Sequence, residues 1–351
     1  GEPETLYLWD AAMRKGLTYR NYGEYLWNIS EEDLKEINSR KSKPYPDTSK
    51  TLKTIATKKT LENHFNPTYR NFDMKTPDIM TPDSYANWSK KNCKDCSPEI
   101  KQSEGTTRFT EWKAEFDSYV ADLKNGKGDK LPNLSILHIS NDHTNGLSKT
   151  APTPQFYVAE NDYAIGRLVE EVSKSPYWKD TAIFIVEDDA QDGPDHVDAH
   201  RSPAFVISAY NRKGALIHDF HNTVSLIRTM EILLGIPPMN LLDATATPMN
   251  VFQDTPDLTP YQATVPTVAL DNLMPPNKPT AQMQRLMDLT AEQDLQHPDM
   301  ANPKILNEII WKSVRGTDSV VPAINRLPAF SLMTTGIQEE EENSAEEDDE
   351  D

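Results

Sequence analysis

A chain of 351 residues, 37% of them hydrophobic, can form one large α/β domain or two smaller ones around a core. Lys plus Arg is 36 against 55 for Asp plus Glu, a formal charge of −19; without its acidic C-terminal run the chain is still acidic, which argues against a nucleic-acid partner. No apolar run reaches bilayer length, so no membrane span is expected, and the first residues lack the pattern of a signal peptide.

Taken in order, Leu8 to Lys15 reads as a short helix stopped by Gly16 and Thr18 to Tyr25 as a strand, so that 1–26 open the chain within a domain. The stretch 27–130 is polar and rich in Lys, Asn, Pro and Thr, and reads as an insert or cap. Inside it Phe109, Trp112, Phe116, Tyr119 and Leu123 follow helical spacing, which predicts an amphipathic helix near Thr110 to Leu123. Lys35 to Lys59 reads as solvated surface. Cys93 and Cys96, the chain's two cysteines, have a spacing open to a redox pair, half a zinc site or a local disulfide; with no second such pair nearby, a local disulfide or idle thiols is the preferred reading.

From 131 to 244 short apolar strands alternate with amphipathic helices. Leu134 to Ile139, Ala182 to Val186 and Ala204 to Ser208 read as strands, and Gln155 to Ser173 and Thr223 to Leu234 as helices, the latter closed by Gly235. This predicts an α/β fold, a mainly parallel sheet with helices on both faces and its chemistry at the strands' carboxyl ends. The Pro-rich stretch 245–337, with a helix over Lys304 to Val314, is expected to wrap the domain. The acidic run within 338–351 repels itself and is expected to be disordered.

Two clusters follow strands directly. Asn141-Asp142-His143-Thr144-Asn145-Gly146 comes after the first, and Glu187-Asp188-Asp189 after the second. The second continues through Asp192, Asp195, His196 and Asp198 to His200, so two histidines and several carboxylates share one inter-strand loop. Like charges held close together need neutralising, and a divalent cation with mixed nitrogen and oxygen ligation does so. Asp142, Asp188, Asp189, His196 and His200 are the candidate ligands. His218 and His221 stand at the start of the helix Thr223 to Leu234, where an anion can be held; His138, inside an expected strand, receives no role. GxGxxG, Walker A, HExxH and GxSxG patterns are absent from the sequence.

These stretches carry a resemblance. Pro132 to Gly146, Thr150 to Gly166, Tyr177 to Arg201, Val206 to Gly214 and Leu226 to Met239 are similar to the phosphoesterase family of bacterial phospholipases C and AcpA-type acid phosphatases, in the alkaline phosphatase superfamily. The branch fused to a β-propeller is the nearest, and Asn307 to Gly316 resembles its tail. The resemblance implies an alkaline phosphatase-like fold and a periplasmic or extracellular hydrolase acting on a small-molecule or lipid phosphoester. It also implies divalent metal ions, among Zn, Mn, Fe, Ca and Mg, on Asp142, Asp188, Asp189, His196 and His200. His143, Asn145, Arg201 and His221 stand as substrate-contacting or supporting residues. Leu6 to Glu24 resembles the middle of the family's domain, so the Ser or Thr nucleophile is expected upstream of Gly1, on an N-terminal segment or propeller-bearing part of the same parent protein. The competing reading is a non-catalytic metal- or ligand-binding protein on the same fold.

Overall fold

The computed structural model describes residues 3–29, 53–70, 76–79, 107–149, 151–187, 202–266, 275–276, 278–295 and 300–322. The chain divides into two compact units, one of Gly1–Ile185 with Phe205–Pro279 and the other of Val186–Ala204 with Thr280–Asp351. Most of the Lys-rich stretch, 35–52, lies outside the described residues, as do Cys93, Cys96 and the acidic run 338–351.

Helix α1 (Leu8–Arg14) leads through Lys15 and Gly16 into β1 (Tyr19–Tyr22). Of the strand expected over Thr18 to Tyr25, Tyr19–Tyr22 is formed, and a further strand follows it. Gly23 at φ 114° and Tyr25 at φ 49° turn the backbone, and β2 (Leu26–Ile29) then pairs antiparallel with β3 (Lys53–Ala56). Next come α2 (Arg108–Lys124), β4 (Leu134–Leu137), α3 (Pro154–Ser173), β5 (Ala182–Val186), β6 (Ala204–Ser208), α4 (Thr223–Leu234) and α5 (Leu241–Thr245). The helix starts follow from local chemistry. Thr107, Thr153 and Asn222 accept the amide hydrogens of Thr110, Phe156 and Ser225, and Pro154 opens α3, where no amide hydrogen is needed. Gly235, at φ 66°, ends α4 in the left-handed conformation that a Cβ disfavours.

β1 pairs parallel with β4 in the register Tyr19↔Leu134 to Tyr22↔Leu137. On its other side the Asn21 amide donates to the His64 carbonyl at 2.8 Å and the Asn66 amide to the Asn21 carbonyl at 3.0 Å. This places the stretch after β3 against the strand and buries Leu61 and Tyr69 completely. The parallel pairing expected of the sheet is present in β1 with β4, and among the described residues the strands form three two-stranded ladders, β1 with β4, β2 with β3 and β5 with β6. The strands are short, four residues in β4 and five in β5, and their side chains are mostly half-buried.

The main core is aromatic. Trp112 stacks on Phe116 with centroids 4.9 Å apart, and these pack with Phe109, Tyr22, Tyr69, Val172, Tyr177 and Trp178. Truncating such a buried ring costs about 3–5 kcal/mol. Glu115 ties α2 to β1 by accepting from Arg20 at 2.5 and 2.9 Å and from the Tyr22 hydroxyl at 2.8 Å. In the second unit α6 (Ala281–Ala291) packs on α7 (Pro303–Arg315) through Leu286, Met287, Leu306 and Ile309. Among the described residues no helix is long and apolar enough to cross a membrane.

One carboxyl pair in the first unit makes stability depend on pH. Glu231 and Asp243, both buried, hydrogen-bond to each other, and both accept from the Met239 amide, at 3.1 and 2.9 Å. Burial and the neighbouring Asp243 push the Glu231 carboxyl up, against the pull of Arg228 at 3.1 Å. Burial also opposes ionisation of Asp243, yet Glu231 and the amides of Asn240 and Met239 hold it below the usual range. Of the two, Glu231 is thus the carboxyl whose protonated form the fold favours. A raised carboxyl pKa gives stability that is complete below the unfolded value of about 4.3 and lost as pH rises through the folded value. Glu231→Gln keeps the shared hydrogen bond without the titration. Urea unfolding at pH 5 and pH 8 should show this variant gaining on the unmodified protein as pH rises; a constant difference would count against a shared proton.

Candidate functional site

The carboxyl ends of β1 and β4 lie side by side, and their residues converge there. A Cβ on Gly23 would sit 2.8 Å from the His138 Cβ and 3.1 Å from the Tyr69 ring, so the absence of a side chain permits the approach. Asn21 clamps the following turn, its side chain donating to the Glu24 carbonyl at 2.6 Å and accepting from the Glu24 amide at 3.1 Å. Glu24 Oε2 thereby comes 3.5 Å from His138 Nδ1, and the Tyr69 hydroxyl donates to the His138 carbonyl at 2.9 Å.

Beyond His138 the chain turns, with the His143 amide donating to the Ser140 carbonyl at 3.3 Å. Asp142 and His143 come together, Oδ1 to Nδ1 3.7 Å, both side chains partly open to solvent. Burial opposes ionisation of Asp142, but the His143 hydrogen bond and the charges of His143 and His138 outweigh it and hold the carboxyl below its usual range. It is an anion at neutral pH. Asn145 donates to the Tyr157 hydroxyl at 3.1 Å, which ties the far side of the loop to α3.

His221 precedes the N-cap of α4, and both its ring nitrogens are shielded from solvent without a hydrogen-bond partner. No hydrogen bond or ion pair joins it to Asp142 or His143 among the described residues. Asp188, Asp189, His196, His200 and Arg201 lie outside the described residues.

Two residues join this edge that sequence patterning passes over, Glu24 and His138. His138 reads as strand interior in the sequence, but β4 ends at Leu137 and the imidazole faces Glu24. A third group lies beneath the loop. Arg108 and Asp78, both fully buried, are joined at 2.7 Å; desolvation pushes Asp78 up against the pull of Arg108, Asn141 and Asn161. Glu160, fully buried in α3, accepts from the Asn141 side chain at 2.8 Å and from the Ile79 amide at 2.9 Å. Nothing local in the sequence marks these partners, which are 19 to 81 positions apart.

The profile of the phosphoesterase family matches residues 2–237, two thirds of the chain, and takes in both strand-end clusters. The chain belongs to the phosphoesterase family. Among curated proteins and among solved structures, none matches it. Membership makes this a phosphoester hydrolase at the level of the family, and the parallel β1–β4 pair with its helices is consistent with an α/β fold.

The geometry of Gly23 yields a direct test. Gly23→Ala forces a left-handed φ on a residue with a Cβ and pushes that Cβ into His138. A loss of roughly 1–3 kcal/mol in urea unfolding is expected. Stability within about 0.5 kcal/mol of the unmodified protein, the scatter of neutral substitutions, would show that the strand ends part at no cost.

Proposed function

We propose that this phosphoesterase is a metal-dependent hydrolase of small-molecule or lipid phosphoesters on an alkaline phosphatase-like fold, with Asp142 as one metal donor at the carboxyl edge of β4. The carrying observation is that an anionic, partly exposed carboxylate stands at a strand end inside the family match. The donor chemistry suits a borderline divalent ion, since oxygen and imidazole nitrogen lie together. Among the described residues no three His, Cys, Asp or Glu side chains gather as a metal group. Asp142 stands as one donor in this proposal; Asp188, Asp189, His196 and His200, the other expected donors, lie outside the described residues.

The chain's own groups have distinct tasks. Asp142 holds negative charge toward the cation. His143, beside it, orients that carboxylate and can hold a proton at Nδ1; His138, paired with Glu24, adds a second imidazole at the same edge. Asn145, held by Tyr157, fixes the loop where it rejoins the fold. A bound divalent ion would stabilise charge on the phosphoryl oxygens and lower the pKa of the attacking group.

Elemental analysis of the purified protein, with hydrolysis of p-nitrophenyl phosphate and bis-p-nitrophenyl phosphate, tests this proposal. Retained Zn, Mn or Fe, chelator-sensitive hydrolysis, and a loss of at least about tenfold in metal affinity on Asp142→Asn are expected. Metal retained without hydrolysis, in this chain and in an N-terminally extended form, would favour the binding-protein reading. Hydrolysis indifferent to chelation would overturn the metal proposal.

A further inference from the structure

The loop that carries Asp142 is gripped from below. The Asn141 amide donates to Asp78 Oδ2 at 3.0 Å, its side-chain oxygen accepts from Arg108 at 3.0 Å, and its side-chain nitrogen donates to Glu160 at 2.8 Å. One residue earlier than the buried Ser140, the Ile139 carbonyl accepts from Asn161 at 3.2 Å, and Asn161 also donates to Asp78 at 3.2 Å. Arg108 is held in turn by the carbonyls of Arg70 and Thr76, at 2.6 and 2.8 Å, and by Asp78 at 2.7 Å. Separate stretches of chain therefore meet at one asparagine, directly before Asp142.

Burying a guanidinium and two carboxylates is an expensive way to fill a core, and apolar side chains of similar volume are often as stable or more so. What ionic and amide groups add is direction, because each hydrogen bond fixes an angle as well as a distance. Here all three contacts of Asn141 set the peptide that leads into Asp142.

We infer that Asn141 is a positioning residue and that Arg108, Asp78 and Glu160 form a buried clamp which sets the backbone of 139–142 and so presents the Asp142 carboxylate to the metal. The inference rests on the metal reading of Asp142. It assigns a task to α2 and to the segment 76–79, which hold Asn141 through Arg108 and Asp78. The clamp acts through Asn141 and touches no substrate.

Three variants and two measurements test it. Asn141→Ala removes both side-chain contacts; Glu160→Gln keeps the volume but leaves either the Ile79 amide or the Asn141 side chain without its acceptor. Both proteins are first shown to be folded by thermal unfolding. Amide hydrogen exchange of the metal-free protein over 138–146 should then quicken about tenfold in each variant, with the exchange of α7 unchanged, and calorimetric Mn²⁺ affinity should fall about tenfold or more, the usual cost of losing an outer-shell partner. Asn141→Asp, which keeps the acceptor for Arg108 and faces Glu160 with a second carboxylate, should rescue only poorly. Unchanged loop exchange in folded variants overturns the clamp whatever the metal does. Should the unmodified protein bind no Mn²⁺, Zn²⁺ or Fe²⁺, the metal reading falls, and with it the purpose assigned to the clamp; quickened exchange would then show a structural tie alone. Quickened exchange with unaltered Mn²⁺ affinity overturns the positioning role while leaving Asp142 as a donor.

Discussion

A guanidinium shut away from water must be surrounded by acceptors, and Arg108 finds them in the carbonyls of Arg70 and Thr76, the carboxylate of Asp78 and the amide of Asn141. Much of the first unit is arranged around that requirement. The segment 76–79 is drawn onto the start of α2, where the Pro77 and Asp78 carbonyls accept from the Arg108 and Phe109 amides. α2 in turn sets its aromatic face, Phe109, Trp112 and Phe116, against the core beside β1 and α3. The polar hub and the aromatic core are thus two faces of one helix.

The regular elements of the chain are legible in sequence where the signals are local. α3 starts one residue from its expected position because Thr153-Pro154 is a cap followed by a residue without an amide hydrogen, and α4 ends at Gly235 because a left-handed residue is needed there. β5 and β6 are short apolar runs bounded by polar ones, and their limits agree with the pattern. β2 and β3 lack any such signal. Each has four residues, β3 is Lys-Thr-Ile-Ala, and the ladder closes between stretches more than twenty positions apart. Pairing of that kind is decided by what lies opposite, which no window of sequence contains.

The candidate site divides along the same line. Asp142 and His143 are expected from the sequence because they follow an apolar run, and the structure places them together in the loop beyond β4, which ends at Leu137. Glu24 and His138 are not, since their meeting depends on β1 and β4 being parallel neighbours and on Gly23 letting the two turns touch. Asn141 is visible as a member of the motif but not as its anchor. Its partners Asp78, Arg108 and Glu160 lie in a polar stretch, at a helix start and in the middle of another helix, where each reads alone as an ordinary surface charge.

Asn141 and Asp142 are neighbours in sequence but opposites in environment. A carboxylate that is to meet a cation needs solvent access, and solvent access removes the packing that would otherwise restrain it. Placing the restraint one residue upstream resolves the conflict. Asn141 is almost fully buried and fixed through its amide and both side-chain polar atoms, while Asp142 remains partly exposed, its carboxyl held low by the neighbouring histidines against the opposing effect of burial. Because consecutive residues share a planar peptide, restraint of the first narrows the range of positions open to the second. The buried charges, costly as core filling, are in this arrangement the means by which rigidity reaches the surface without covering it.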